Sequence, residues 1–349
     1  MNMKKIRVFE AFSGYGSQSI ALRNIGVDYE VVAISEIDKY AIKAYEAIHG
    51  KANNLGDICK IDIKDIPKHD LFTYSFPCQD ISIAGRQMSL EEGSGTRSSL
   101  LWECKKIIEH CKPKYLLMEN VKNIISKKHK PYFDKWLDYL ESLGYVNYWK
   151  VLNAKDYGVP QNRDRVFVIS ILDNIVGYEF PPTTKIDKCI KDILESDVSD
   201  KLFLSGEWGY KLFSKRESVC KQIGEYYSYS YDQARRIYSI DYCCPALTTM
   251  QGGGKKPKIL VNNKVREISS LEAWRLMGFK DEDYLKAKKA GVPIAQLYKQ
   301  AGNSIVVKVL EGIFESLFLY KDKAENEIKT TTVKLENKVE KYDQIKWVI

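Results

Sequence analysis

Ile6-Arg7-Val8-Phe9-Glu10-Ala11-Phe12-Ser13-Gly14-Tyr15-Gly16-Ser17 is the stretch on which the reading of the fold turns. Ile6 to Phe12 is apolar and β-prone, Ser13 to Ser17 is a glycine-bearing turn, and a helical stretch runs on through Ala21 to Asn24. A strand that passes through glycine into a helix brings backbone close to a ligand, because glycine has no side chain in the way. Outward from this unit the pattern repeats. Tyr29 to Ile34, Asp70 to Phe76, Tyr115 to Met118 and Val166 to Leu172 read as strands. Lys39 to Ile48, Leu100 to His110 and Tyr132 to Leu143 read as helices. The alternation predicts an α/β chain with a parallel sheet covered by helices on both faces.

The chain has 349 residues, enough for one large domain and a smaller one. Its 44% hydrophobic and 29% charged residues are those of an ordinary globular protein. No apolar run is long enough to span a bilayer, and Met1-Asn2-Met3-Lys4-Lys5-Ile6 leads straight into the first strand rather than into a secretory leader. A cytoplasmic protein without a membrane partner is expected. The net charge of +8 suits an anionic partner. Eight cysteines without a CxxC pair and four histidines without ligand spacing predict no metal.

From Asp173 to Ala246 the pattern loosens into Tyr, Ser, Lys and Gly. Ser269 to Met277 then reads as an amphipathic helix. Asn303 to Tyr320 reads as a strongly apolar one, with Ile305, Val306, Val309, Leu310, Ile313, Phe314 and Leu317 at core spacing. The expected division is 1–172 for the first part of the large domain, 173–285 for the smaller one, 286–320 for a helix returning to the first, and 321–349 for a charged extension.

The glycine turn lacks the third glycine of the dinucleotide fingerprint, and no lysine follows it as in a phosphate loop. Glu36 stands at the end of the second strand, where a carboxylate accepts hydrogen bonds from ribose hydroxyls. Ile37 beside it is placed to cover an adenine, and Asp57 to meet the adenine amino group. Either acid alone would pass for a solvated surface carboxylate. Together they suggest a nucleoside ligand without a diphosphate, which suits S-adenosylmethionine better than NAD.

Cys78, in Ser75-Phe76-Pro77-Cys78-Gln79, directly follows a strand, and ligands of open α/β sheets bind outside the carboxyl ends of strands. The other seven cysteines fall in predicted helices or in the smaller domain and read as small buried residues. Glu119 ends another apolar strand, Tyr115 to Met118.

In order along the chain, Phe9 to Gly16, Phe76-Pro77-Cys78-Gln79, Glu119-Asn120-Val121, Gln161-Asn162-Arg163-Asp164-Arg165, Arg266 to Phe279 and Gln300-Ala301-Gly302-Asn303-Ser304 resemble the motifs of the bacterial and phage DNA (cytosine-5) methyltransferases. The resemblance runs from about Ile6 to Leu319 and leaves out the middle domain and the tail. It implies a Rossmann-like S-adenosylmethionine-dependent methyltransferase domain with a smaller, mostly β or irregular target-recognition domain. Ser17 and Ser75 stand where the family commonly has glycine, and Ile37 where it has an aromatic.

The resemblance also implies roles. Cys78 would add as a thiolate to C6 of cytosine, which makes C5 nucleophilic enough to take a sulfonium methyl. Glu119 would contact N3 and the 4-amino group, Arg165 would hold O2, and Arg163 would assist at a phosphate or at Cys78. Phe12, Gly14, Gly16, Glu36, Ile37, Asp57, Ile58, Pro77, Leu100, Asn303, Ser304 and Val306 would surround the cofactor. Gln79, Ser82 and Arg86 (the last two in a glycine-bearing lid from Ile81 to Thr96) and Gln161 would face DNA. Arg235, Arg236, Thr248, Thr249, Gln251, Gly252 and Lys255 are candidates for groove and backbone contacts in the smaller domain. The implied partner is double-stranded DNA, and a monomer is expected; the resemblance covers both restriction-modification members, with a cognate endonuclease acting on the same site, and orphan members without one. The alternatives are a tRNA cytosine-5 methyltransferase of the same fold, disfavoured by the sizeable middle domain, and a catalytically silent DNA-binding homologue, disfavoured by the intact Cys78, Glu119 and Arg165. A nicotinamide enzyme is disfavoured by the missing third glycine.

Overall fold

The computed structural model describes residues 5–77, 100–173, 177–184, 188–204, 209–213, 218–227, 232–250 and 255–319. The first strand, β1 (Ile6–Ala11), passes through the glycine turn into α1 (Ser17–Asn24). β2 (Tyr29–Ser35) is followed by α2 (Lys39–His49), whose N-terminus is capped by Asp38: its carboxylate accepts from the N–H groups of Tyr40 at 2.9 Å and Ala41 at 3.3 Å. Ala41, Ala44, Tyr45 and Ile48 form the buried stripe of α2, at the spacing that predicted it. β3 (Leu71–Tyr74), α3 (Glu103–Cys111), β4 (Tyr115–Val121), α4 (Lys130–Ser142), β5 (Tyr145–Asn153), the two-residue β6 (Gln161–Asn162) and β7 (Asp164–Leu172) complete the first half.

Six of these strands make one sheet in the order β2-β1-β3-β4-β7-β5. Successive residues of each strand face opposite sides, so the apolar runs feed two cores. Val8, Leu71 and Leu117 join the core under α1 and α2, whereas Phe9, Phe72 and Leu116 join the one under α3 and α4. Helices thus cover both faces, as expected of an α/β chain. The expectation of a wholly parallel sheet fails at β7, which runs antiparallel to both β4 and β5. The chain between β5 and β7 holds only a 3-10 turn at Ala154–Tyr157 and β6, with no crossover helix to carry it back for a parallel pairing. β5 is an edge strand that pattern reading passed over, because Asn147, Lys150 and Asn153 break its apolar run.

A second sheet, order β13-β12-β10-β9-β8, is built from β8 (Tyr210–Leu212), β9 (Gln222–Tyr226), β10 (Arg236–Tyr238), β12 (Lys258–Val261) and β13 (Lys264–Glu267). The short helix α5 (Asp232–Arg235) leads into β10, and β11 (Cys244–Pro245) pairs with β6. The small core of this sheet is Tyr226, Ile237 and Val265.

The helices that follow, α6 (Ser270–Arg275), α7 (Asp281–Lys289), α8 (Ile294–Asn303) and α9 (Val307–Phe314), pack back on the first sheet. Trp274 lies 4.4 Å, ring to ring, from Tyr15 of the glycine turn, and Arg23 of α1 bonds Asp283 of α7 at 2.7 Å. The single helix expected over Asn303 to Tyr320 is interrupted. Ser304 and Val306 are extended, so α8 ends at Asn303 and α9 starts at Val307 before closing in a π-helical turn, Glu315–Leu319. Among the described residues no helix is long and apolar enough to cross a membrane.

The two sheets are joined where β13 meets α6. Arg266 makes a two-pronged, buried ion pair with Glu272, at 2.8 and 2.7 Å, and Glu272 also accepts from the N–H of Ser269 in a capping box and from the N–H of Glu195. Removing one partner strands the other charge out of water. Glu272→Ala is therefore expected to destabilise the fold by about 3–5 kcal/mol, measured by chemical denaturation, whereas Glu282→Ala on the surface of α7 leaves stability unchanged.

Candidate active site

The carboxyl ends of β1 to β4, the start of the reversed β7 and the α8–α9 junction converge on one cavity of about 340 Å³. The turn after β1 forms its floor. Gly14 is left-handed, with φ +57°, and a side chain added there would meet nothing within 4 Å, so its Cα faces open space. Phe12 also takes a positive φ of 55°, uncommon for a non-glycine residue and typical of functional turns. Gly16, expected as a cofactor contact, does not line the cavity: a Cβ there would lie 2.3 Å from His49 Nε2, so the glycine lets the turn pack against α2.

Glu36 ties the end of β2 to this turn. Its Oε2 accepts from the Gly14 N–H at 2.9 Å, and its Oε1 from the N–H groups of Ile37 and Asp38, both at 2.8 Å. Burial raises its carboxyl pKa against these bonds. Oε1 is thereby saturated, whereas Oε2, with one bond, retains acceptor capacity. Ile37 is 74% exposed, an isolated apolar side chain on the cavity rim. Asp57 and the buried Ile58 line the same end, where Asp57 caps a short turn through the Cys59 N–H.

At the other end lies a buried pair. Glu119, at the end of β4, accepts from Arg165 Nε at 3.1 Å. Burial raises the pKa of Glu119, opposed by the charges of Arg165 and Arg163 and by hydrogen bonds from Arg165 and Ser75. Beside it Asn120 donates to the carbonyl of Phe76 at 3.1 Å, and so fixes the chain two residues before Cys78. Phe12, Gly14, Glu36, Ile37, Asp57, Ile58, Pro77, Leu100, Glu119, Arg163, Arg165, Asn303 and Ser304, all expected at the site, line this one cavity. Asp38, Ser75, Asn120 and Lys299 line it too and were not singled out from sequence. Val306, expected beside the cofactor, is buried and does not line the cavity.

Two expectations are corrected. For Arg163, expected at a phosphate or at Cys78, only the phosphate alternative is corrected: it lines the cavity but is 3% exposed and donates to three carbonyls, those of Leu247 at 2.9 Å, Gly302 at 3.0 Å and Ser304 at 2.8 Å, an environment with no place for a DNA phosphate. Gln161, expected among the DNA contacts, is fully buried; its amide bonds the Leu276 carbonyl at 2.6 Å and the Leu247 N–H at 3.0 Å. Both side chains hold the cavity wall together. Cys78, Gln79, Ser82, Arg86 and the lid to Thr96, with Gln251 and Gly252, lie outside the described residues. In the second unit Thr248 and Lys255 are exposed, and Arg235, Arg236 and Thr249 half-buried, with Arg236 ion-paired to Asp232. Of the remaining cysteines, Cys104, Cys189 and Cys244 are buried, but Cys59 is exposed.

The fold, a Rossmann-like sheet with one reversed strand and a nucleoside-sized cavity at its strand ends, is that of the S-adenosylmethionine-dependent methyltransferases. The family described as C-5 cytosine-specific DNA methylase matches residues 6–319, and the chain belongs to it: it is a DNA cytosine-5 methyltransferase. It is 41% identical to the type II methyltransferase M2.ScrFI of Lactococcus lactis subsp. cremoris, over 90% of this chain and 99% of that one. It is 33% identical to the orphan methyltransferase M.SssI of Spiroplasma monobiae, over 90% and 97%. Among solved structures, S. pombe Dnmt2 methyltransferase shares the fold, with a TM-score of 0.69 at 22% identity over 91% of this chain and 99% of that one.

Gly302 explains how tightly the wall closes. A Cβ on it would lie 1.9 Å from the Thr248 carbonyl oxygen and 2.7 Å from the Thr249 nitrogen, both backbone atoms that cannot swing aside. Gly302→Ala is expected to lower stability by about 1–3 kcal/mol or more through overpacking, and to weaken cofactor binding as Asn303 and Ser304 shift. A melting temperature equal to that of the unsubstituted protein would contradict this packing.

Proposed function

We propose that the protein transfers a methyl group from S-adenosylmethionine to C5 of a cytosine turned out of duplex DNA, with Cys78 as covalent nucleophile, Glu119 at N3 and the 4-amino group, and Arg165 at O2. The observation that carries the reading is the buried Glu119–Arg165 pair, on the cavity wall that Asn120 bonds to the segment entering Cys78. The cavity suits the cofactor. Glu36 Oε2 offers an acceptor for a ribose hydroxyl, Ile37 an apolar face for adenine, Asp57 an acceptor for its amino group, and Gly14 an open approach to backbone. When bound, S-adenosylmethionine would supply an electrophilic methyl on a positively charged sulfur, the S–CH3 bond breaking to leave the neutral thioether S-adenosylhomocysteine.

The protein's own residues then do the following. The Cys78 thiolate adds to C6, and the displaced electron density moves toward N3 and O2. Glu119, with a carboxyl pKa raised by burial, donates a proton at N3 through one oxygen and accepts from the 4-amino group through the other. Arg165 hydrogen-bonds O2. Once C5 carries the methyl, its proton leaves to water, Glu119 takes back the proton from N3, and expulsion of the Cys78 thiolate from C6 restores the aromatic ring. Arg163 acts through position, by fixing the carbonyls of Leu247, Gly302 and Ser304.

Turning the base out costs roughly a few kcal/mol, which phosphate contacts from the basic surface supply. We assign sequence choice to the second sheet and its flanks, with Arg235, Arg236, Thr248, Thr249 and Lys255 as candidate contacts. We keep 173–285 as the extent of this unit, whose Tyr238, Cys244 and Ile259 share one core with Trp274 of α6 and Tyr284 of α7.

Cys78→Ala is expected to abolish methyl transfer while DNA binding survives, and duplex DNA carrying 5-fluorocytosine at the target is expected to trap the unsubstituted protein covalently. Bisulfite sequencing of DNA from expressing cells reads the product, with tRNA as the control substrate. Normal turnover by the alanine variant, or methylation of tRNA alone, would sink the reading. Glu119→Gln keeps the shape but removes the proton donor, and should lower kcat by about 10²–10⁴-fold.

A further inference from the structure

The residues that close the cavity from the far end of the sequence, Gly302 to Ser304, sit at the end of α8, and two side chains of α8 reach across to the start of α2. Lys299 Nζ donates to Asp38 Oδ2 at 2.6 Å, and Gln300 Nε2 donates to the Tyr40 carbonyl at 2.9 Å. Asp38 is otherwise committed. Its Oδ1 caps α2, and its own N–H donates to Glu36, whose other oxygen holds the Gly14 N–H. One continuous polar path therefore runs from α8 through Asp38 and Glu36 to the glycine turn. Lys299 and Asp38 both line the cavity rim, with side chains 26% and 29% exposed. Burial alone would push the Asp38 carboxyl up; Lys299 and the helix N–H groups more than offset it and hold it below its ordinary value.

We infer that Lys299 and Asp38 form a clasp that holds the end of α8 against the cofactor end of the cavity, as positioning residues for the methyl donor. The inference rests on the cofactor reading above. Its physical content is specific: the clasp acts through geometry, by keeping Asn303 and Ser304 at the rim, and not through the charge of Lys299 on the ligand. S-adenosylmethionine and S-adenosylhomocysteine differ by one positive charge. A geometric clasp affects both alike, whereas a direct charge effect separates them.

The test is calorimetric titration of both ligands into the full chain and into Lys299→Met, Lys299→Arg, Asp38→Asn and the Lys299→Met/Asp38→Asn double variant. Asparagine retains the helix cap but loses the charge, so α2 keeps its start. Either single removal is expected to raise Kd about fivefold for both ligands, the size of one partly exposed ion pair. The double variant should be no worse than either single one, and Lys299→Arg should restore most of the affinity. In turnover, KM for the methyl donor rises while kcat moves by less than about twofold. Melting temperatures of the ligand-free variants report separately on folding. Additive effects in the double variant, a change for one ligand only, or Kd values within error of the unsubstituted protein overturn the inference. Absence of binding in the unsubstituted protein overturns the cofactor reading and the clasp with it; normal binding there, unchanged in all variants, overturns the clasp alone.

Discussion

Three carbonyls from distant parts of the chain meet one guanidinium. Arg163 bonds Leu247, Gly302 and Ser304, which stand 84, 139 and 141 positions further along. Its donors are fixed in one plane, so the three peptide groups must come together in one arrangement. That arrangement defines the wall between the cavity and the second unit. The chain leaving the second sheet must pass beside β7, and the α8–α9 junction must open just there. Gly302 follows from the same crowding, since the Thr248 backbone occupies the place a side chain would take. Gln161 repeats the device one step deeper, joining Leu247 to Leu276.

The cavity is thus assembled from both ends of the chain around a center made early in it. β1 to β4 deliver the glycine turn, Glu36, the approach to Cys78 and Glu119 along one edge of the sheet, and the reversed β7 starts at that same edge, which is why Arg165 faces Glu119. A parallel β7 would have started at the opposite edge and carried Arg165 away. The reversal that breaks the regularity of the sheet is what builds the buried pair.

Much of this was legible beforehand, and the remainder has physical reasons. Strand and helix positions followed from apolar periodicity, because β1, β3 and β7 are buried on both faces and α2 on one. Strand direction leaves no mark on periodicity, so β7 was misjudged. The break at Ser304–Val306 was hidden because Ile305 and Val306 are as buried as the helix they interrupt. Gln161 reads as a DNA contact and Arg163 as a helper at a phosphate or at Cys78, since a polar residue shows nothing in sequence of the remote backbone groups that satisfy it. Asn120 and Lys299 escaped for the same reason. Of the residues that line the cavity by their own chemistry, Glu36, Ile37, Glu119 and Arg165 are legible because each stands at a terminus of a strand or in the turn beside one, whereas Asp57 lies in the connection between α2 and β3.

The Glu119–Arg165 pair is poorly explained as a device for stability. Taking both charges out of water costs about as much as their attraction returns, and apolar replacements of similar volume are often neutral or better. At the surface the same pair would be worth ~1 kcal/mol or less. Withdrawn from water at the wall of a cavity, however, the carboxyl has its pKa raised by burial while the guanidinium fixes its orientation. A ring whose N3 gains electron density as C6 is attacked needs a proton donor held in place and a cation in the same plane at O2. Burial sets the first and the fork of Arg165 the second, so the energetic indifference of the pair to folding is what leaves it available to the reaction proposed for it.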